Sequence, residues 1–181
     1  MQCGDIMRKI IEYEIDPGGF GKSAFKDVFW SDITATVVIP AVAADLDFPD
    51  VVIPTGGIPT GATIISARAI LKWRKQVDSS TAANAINGAS KGIRIKKSTG
   101  AWGTDDVMAI NVPNNSMATD ASSTEGGDCW IGDNDVDSEV DGVGTYNIRS
   151  EETTRGDAIV VDGASLTLYD VQMGLIVKWR P

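Results

Sequence analysis

Apolar and polar residues alternate through the C-terminal segment of the chain, from Gly163 to Pro181. One parity carries the apolar residues Val171, Met173, Leu175, Val177 and Trp179, and the other includes Gln172, Gly174, Lys178 and Arg180. Successive side chains of a β-strand point to opposite faces of a sheet, so this alternation predicts a strand with one buried face. We therefore expect the chain to end inside a sheet.

Shorter strand-like segments recur along the rest of the chain, between turns rich in glycine, of which there are 19. The predicted strands cover residues 34–39, 51–53, 63–77, 93–96, 107–112, 129–140, 146–149 and further segments between 158 and 179. One short helix is predicted over Ser80 to Ile86, because Ser80 is a good N-cap and Gly88 ends the alanine-rich run. This pattern predicts an all-β fold, an antiparallel two-layer jelly-roll-like β-sandwich with one short helix.

The segment 63–77 has two interpretations. A helix would have only a broken apolar stripe, whereas a strand places on one face Ile65, Ala67, Ala69, Leu71 and Trp73. The alternation is the closer match, and we predict a strand.

The length of 181 residues fits one domain with an N-terminal arm. We place the arm at residues 1–33 and the β-sandwich domain at residues 34–181. The arm carries an aromatic cluster that needs cover from the domain or from a neighbouring subunit: Phe20, Phe25, Phe29 and Trp30. The first sixteen residues lack the apolar core of a signal peptide. No run approaches the roughly 20 apolar residues of a membrane helix.

The composition argues against several classes of function. A formal net charge of −9 disfavours broad binding to nucleic acid or to anionic membrane. The absence of histidine excludes a Ser-His-Asp triad and a Cys-His dyad, and the two cysteines, Cys3 and Cys129, have no metal-ligand spacing. We predict no catalytic residues and no cofactor.

One short motif resembles a nucleotide-binding loop. Residues 16–23 read DPGGFGKS, in which Lys22 follows a glycine-rich stretch as it does in phosphate loops. The surroundings differ, because no helix begins at Ser23 and the chain lacks the strand and helix alternation of a nucleotide-binding sheet. A glycine turn that carries a lysine is the favoured interpretation, and nucleotide binding is the least favoured function.

Acidic residues recur at every second position between Trp130 and Asp141. On an extended strand they would form a self-repelling row on one face, unless a cation such as calcium lay against them: Asp133, Asp135, Asp137, Glu139 and Asp141. The spacing departs from the helix-loop-helix calcium motif, so solvated side chains are the default. Asp133, Asp135 and Asp137 remain the weak metal candidates.

Charge is also segregated along the chain. Residues 68–97 contain eight basic residues and one acid, and residues 120–162 contain twelve acids and two basic residues. Two interpretations stay open, neutralisation between adjacent strands and attraction between the basic face of one subunit and the acidic face of the next. The residues that would carry such assembly are Arg68, Lys72, Arg74, Arg94, Lys96, Asp133, Asp135, Asp137 and Glu139.

Trp102 differs from the other four tryptophans. It lies in the loop Gly100-Ala101-Trp102-Gly103, whereas the others lie in or beside apolar segments where core packing is expected. An exposed indole ring is suited to stacking on a sugar. Trp102 is therefore the residue on which a carbohydrate-binding function would depend.

Three segments resemble the small β-sandwich structural proteins of tailed-phage virions. They are the turn at residues 57–63 that leads into a long strand, the Ala82-Ala83-Asn84-Ala85 helix and the closing strand at residues 170–175. The similarity covers roughly residues 35–181 and implies a virion structural protein without enzymatic activity, a capsid decoration or coat subunit. Its implied partners are copies of itself and virion proteins such as the major capsid protein, with assembly in the host cytoplasm. A carbohydrate-binding β-sandwich module is the alternative.

Overall fold

The computed structural model describes residues 24–39, 42, 44–78, 86–87, 92–102, 108–109, 124–131, 135–150, 160–161 and 166–181. This part of the chain contains strands and turns and no helix. The strands are β1 (Phe25–Trp30), β2 (Thr34–Ile39), β3 (Leu46–Ile53), β4 (Thr63–Asp78), β5 (Ile86–Asn87), β6 (Gly92–Lys97), β7 (Met108–Ala109), β8 (Thr124–Ile131), β9 (Gly144–Ser150), β10 (Val160–Val161) and β11 (Leu166–Arg180).

The strands form three antiparallel sheets. The main sheet has the order β1-β11-β4-β8, and β2 also pairs with β11. Since β4 pairs along nearly the whole of β11, β1 and β2 lie one after the other on the opposite edge of that strand. The second sheet has the order β3-β9-β6-β7, and β5 pairs with β10 in a small third sheet. The predicted all-β antiparallel fold is confirmed at this level.

One hydrophobic core joins the main and second sheets, as expected for a two-layer sandwich. It contains buried side chains of β2, β4 and β11 from the main sheet and of β3, β6 and β9 from the second sheet. Among the described residues, the largest fully buried side chains are Tyr146, Ile39, Ile53, Ile70, Leu71, Ile93, Ile95, Ile148 and Leu168, and all except Ile70 belong to this core. Burial of apolar area at about 25 cal/mol per Å² makes this shared core the main source of stability.

The alternation in β11 is confirmed, with one interruption. The five apolar residues from Val171 to Trp179 are buried, but Leu168, three residues before Val171, is buried as well. The parity changes at Asp170, whose φ of 52° lies in the left-handed region. Aspartate tolerates this conformation better than most residues.

The predicted strand over 63–77 is also confirmed, and β4 buries Ala67, Ala69, Leu71 and Trp73. The placement of Ile65 on the buried face is wrong. A register shift opposite Lys178 and Trp179 makes Ile64 the partner of Trp179, and Ile64 packs against the core. A bulge adds one residue and thereby reverses the parity beyond it.

Strand β3 is longer than predicted, because it begins at Leu46 and includes Pro49. The register shifts between Phe48 and Val51, so Pro49 lies at the irregularity, in an edge strand that pairs only with β9. Proline has no N–H to donate, and an edge strand with a bulge is where a sheet tolerates it.

The acidic strand predicted over 129–140 is confirmed as far as Ile131, where β8 ends, and is wrong at residues 135–140; residues 132–134 lie outside the described part. Residues 137–139 form a turn in which the Val140 N–H donates to the Val136 carbonyl over 3.1 Å. One helical turn brings Val136 and Val140 to the same side, and both are fully buried in the core. The chain thus buries two valines and avoids the self-repelling row of carboxylates.

Several other predictions fall on residues outside the described part. Residues 80–85 of the predicted helix are among them, and its last residue, Ile86, belongs to β5. Of the predicted strand over 107–112, only Met108–Ala109 is described, as β7. Residues 1–23 of the predicted arm are also outside it, whereas Phe25–Trp30, before the predicted boundary at residue 33, pairs with β11 as β1.

Candidate functional site

The acidic candidates lie at the turn that follows β8. One Asp135 carboxylate oxygen accepts hydrogen bonds from the N–H of Ala67 at 2.8 Å and of Asp137 at 3.2 Å. Glu139 accepts a hydrogen bond from the Ser138 hydroxyl at 2.6 Å, and Asp137 is exposed. Asp133 lies outside the described residues. Asp135 therefore holds the turn against β4, and no group of three or more potential metal-ligating side chains occurs among the described residues.

The basic candidates are divided between the two sheets. Arg68, Lys72 and Arg74 occupy outward positions of β4, whereas Arg94 and Lys96 belong to β6. Arg94 is buried, and Lys96 is half-buried beside Trp102. The sequence grouped these five residues together, but the fold places them on different surfaces.

The outer face of the main sheet is basic. Strands β1, β4 and β11 place side by side on it Lys26, Arg68, Lys72, Arg74, Lys178 and Arg180, which we call the basic face. Lys26 lies directly opposite Lys178 in the register. In the described strands β1, β4 up to Arg74 and β11 from Gln172 onward, no acidic residue occupies an outward position.

The centre of the basic face is apolar. The indole of Trp30 lies over Gly174, where an added Cβ would be 2.8 Å from Trp30 Cε3. Gly174 pairs with Ile70, which is fully buried although it belongs to the outward parity. The Lys72 Nζ lies 4.5 Å from the centroid of the Trp30 ring, a cation–π distance. Trp30 thus packs over Gly174, and Ile70, the partner of Gly174 in the sheet, is buried beside it.

An ion pair between β4 and β11 lies at one end of the basic face. Arg74 Nε donates to Asp170 Oδ2 at 2.5 Å, and both side chains are substantially exposed. The pair spans adjacent strands at the point where Asp170 interrupts the alternation of β11. Surface pairs of this kind contribute about 1 kcal/mol or less.

A second surface feature is an open cleft on the outer side of the second sheet, with a volume of about 450 Å³. The lining residues come from β3, β6, β9 and the loop after β6: Asp47, Phe48, Asp50, Lys96, Trp102, Asn147 and Arg149. The Trp102 ring is half-buried, with Lys96 Nζ at 4.8 Å and Arg149 Cζ at 5.4 Å from its centroid. We refer to this feature as the Trp102 cleft.

Arg149 has a fixed orientation in the Trp102 cleft. Its Nε donates to Asp47 Oδ1 at 2.6 Å and its Nη2 to Asp47 Oδ2 at 3.2 Å, and Asp45 lies 3.5 Å from Nη1. Two parallel hydrogen bonds between guanidinium and carboxylate define direction as well as distance. The cleft wall formed by Arg149 and Asp47 is therefore preorganised.

A buried tyrosine connects the acidic turn to the second sheet. The hydroxyl of Tyr146, which is fully buried, lies 2.7 Å from the Gly142 carbonyl oxygen and 3.0 Å from Asp141 Oδ1. Lys97 Nζ donates to the same carboxylate oxygen at 2.7 Å. The hydrogen bond from Lys97 holds the pKa of Asp141 below its usual value. Burial, and then the hydrogen bond to Asp141, raise the pKa of Tyr146.

Part of the segregated charge is brought together within the subunit. The Lys97–Asp141 pair joins the basic segment 68–97 to the acidic segment 120–162, and Lys75 lies opposite Glu125 in the register of β4 and β8. The exposed basic side chains Arg68 and Arg180 belong to the basic face, and Arg68 directly follows Ala67, which is hydrogen-bonded to the acidic turn.

Sequence reasoning found Trp102 and missed its neighbours Asp47, Asp50, Asn147 and Arg149. A signal existed in β9, where the half-buried Asn147 and Arg149 alternate with the buried Tyr146 and Ile148. That alternation predicts that Asn147 and Arg149 face outward. It does not predict that they lie beside Trp102 in the loop after β6.

The glycine-rich residues 16–23, including Lys22, lie outside the described part of the chain. Comparisons with known protein families, with curated proteins and with solved structures find no match to this chain. No helix long and apolar enough to cross a membrane occurs within the described residues.

Proposed function

We propose that this chain is a structural subunit of a tailed-phage virion, a capsid decoration or coat protein without enzymatic activity, that associates with copies of itself. The resemblance of residues 35–181 to small β-sandwich virion proteins supports a location in the virion. The antiparallel sheets with a shared core agree with that resemblance at the level of fold class. A jelly-roll-like arrangement and a short helix within residues 80–85 are the finer parts of the same proposal.

The basic face is the observation that carries the proposal. The chain has a net charge of −9, yet the outward positions of β1, of β4 up to Arg74 and of β11 from Gln172 onward carry only basic and uncharged residues. The residues outside the basic face carry the net negative charge of the chain, so a second copy is a complementary partner for the basic face. Complementary potentials of this kind steer association and set its register.

The acidic turn after β8 is the surface that we assign to the partner copy. Asp137 is exposed there, and Asp135 and Asp141 lie close by. A contact between the basic face of one subunit and the acidic turn of the next is heterologous, which generates rings or extended arrays. Both products suit a protein that covers a particle.

Light scattering and negative-stain electron microscopy across a salt series test the association. We expect oligomers or arrays at about 50 mM salt and smaller species near 1 M, because the Debye length falls from above 10 Å to about 3 Å over that range. A monomer at every salt and protein concentration contradicts the proposal.

A charge exchange tests the surfaces themselves. Arg68→Glu on the basic face and Asp137→Lys on the acidic turn should each weaken association, and the double variant should restore part of it. Ala44→Glu serves as the control, because Ala44 is exposed and precedes β3 of the second sheet. If Ala44→Glu disrupts association as strongly as Arg68→Glu, the surfaces are wrongly assigned. The virion setting is tested by whether the neighbouring genes encode head or tail proteins.

A further inference from the structure

We propose that the Trp102 cleft is a binding site for a neutral saccharide. The cleft lies on the outer side of the second sheet, and the basic face lies on the outer side of the main sheet. The two surfaces are separated by the shared core. Ligand binding at one is therefore compatible with association through the other.

The cleft has the size of a ligand site. Its volume of about 450 Å³ lies in the range of roughly 300–1,000 Å³ that is typical of small-molecule sites. Trp102 provides the accessible aromatic part of the lining, the side chain of Phe48 is buried in the core, and the other five residues are polar. An aromatic ring with a few convergent polar groups fixes both the position and the orientation of a ligand.

The polar groups match the chemistry of sugar hydroxyls. Each hydroxyl donates one hydrogen bond and accepts others. Asp47 and Asp50 accept, Lys96 and Arg149 donate, and the Asn147 amide does both. Among the described residues, neither Asp50 nor Asn147 has a hydrogen bond or ion pair to another side chain. These two residues can therefore bind a ligand without breaking an internal contact.

The charge balance favours a neutral ligand. The lining has two carboxylates and two cations, and Arg149 is already paired with Asp47. Lys96 and Arg149 lie against the Trp102 ring, where cation–π attraction holds the ring in place. A strongly anionic ligand would meet Asp47 and Asp50, so its charge would gain little. A pyranose ring that replaces the Lys96 ammonium over the indole would stack its apolar C–H face there and direct the hydroxyls at its edge to the polar groups of the cleft.

A glycan array that contains neutral and anionic glycans, followed by titration calorimetry with the best neutral glycan, tests the site. We expect Trp102→Ala to weaken binding at least about tenfold, equivalent to about 1.4 kcal/mol. Trp102→Phe, which keeps a smaller ring, should lose less. Thr60→Ala is the matched control and should bind as the parent chain does, because Thr60 is exposed and belongs neither to the cleft lining nor to the basic face.

A second variant keeps the test decisive if Trp102→Ala fails to fold. Asp50→Ala removes an exposed carboxylate at the cleft and should weaken binding about threefold to tenfold, which corresponds to about 0.6–1.4 kcal/mol. Circular dichroism confirms that each variant is folded. The proposal is overturned if no neutral glycan binds, if only anionic glycans bind, or if folded Trp102 and Asp50 variants keep full affinity.

Discussion

The contact between Trp30 and Gly174 gives the sharpest stability prediction. An alanine Cβ at position 174 would lie 2.8 and 2.9 Å from two carbon atoms of the indole. Carbon atoms prefer about 3.5–4.0 Å, so the ring must retreat by about 0.7 Å or more. The ring cannot do so freely, because Lys72 lies 4.5 Å from its centroid and Ile70 is buried beside Gly174.

The expected cost of Gly174→Ala follows from two opposing effects. Overpacking of a well-packed contact costs about 1–3 kcal/mol. Gly174 does not have a positive φ, so alanine regains about 0.4–1 kcal/mol by restricting the unfolded chain. We expect a net loss of about 1–2 kcal/mol in the free energy of unfolding.

Urea denaturation followed by circular dichroism measures this loss. Gly100→Ala is the control, because its φ is not positive and its Cβ would meet Lys97 atoms only at 3.4 and 3.9 Å, so it should keep its stability or gain up to about 1 kcal/mol. In a Trp30→Ala background the clash is gone, so Gly174→Ala should become neutral or stabilising. If Gly174→Ala equals the parent chain, or costs the same with and without Trp30, the packing argument is refuted.

Three further predictions concern the acidic turn and the strand interruption. Tyr146→Phe removes the hydroxyl from Gly142 and Asp141 and should cost about 1–2 kcal/mol in urea unfolding, because the buried carbonyl loses its partner; an unchanged midpoint would show that the network does not stabilise the fold. The pKa of Asp141 is lowered in the folded protein, so its stabilisation is present above about pH 4 and is lost as the pH falls through the folded-state value. Asp141→Asn should therefore reduce the loss of unfolding free energy that the parent chain shows as the pH falls below about 4. Tyr146→Phe should reduce the loss above about pH 10, because the raised pKa keeps the Tyr146 hydroxyl protonated in the folded chain while it ionises in the unfolded chain. Asp170→Gly should be about 1 kcal/mol more stable than Asp170→Ala in thermal unfolding, since both lose the ion pair to Arg74 and only glycine accepts a φ of 52° without strain; equal stabilities would argue against a left-handed residue.

Two surface features could be predicted only in part. Trp102 was identified from its loop, but the residues around it come from three strands that are distant in sequence. The basic residues of β4 were identified from composition, but Lys26, Lys178 and Arg180 join them only through the pairing of β1, β4 and β11. A local sequence pattern predicts which face of its strand a residue occupies. Which residues lie beside it on the neighbouring strands depends on the order in which the strands pair.

Two wrong predictions have the same physical origin. Ile65 was assigned to the core by strict alternation, and a bulge reversed the parity at that point. The acidic row was read as a strand, whereas residues 137–139 form a turn that Asp135 and Val136 hold to Ala67 of β4 and that buries Val136 and Val140. In each case, packing against a distant strand decided between conformations that the local sequence permits.

The amino-acid sequence alone determined that this chain is built from strands, because a period of two in hydrophobicity is satisfied only by an extended backbone with one buried face. It also determined the buried face of β11 from Val171 to Trp179. Tertiary structure decided which strands are neighbours, where bulges reverse the parity and which charges meet. These outcomes depend on contacts between residues far apart in sequence, such as Trp30 with Gly174 and Lys97 with Asp141, whose energies no local pattern encodes.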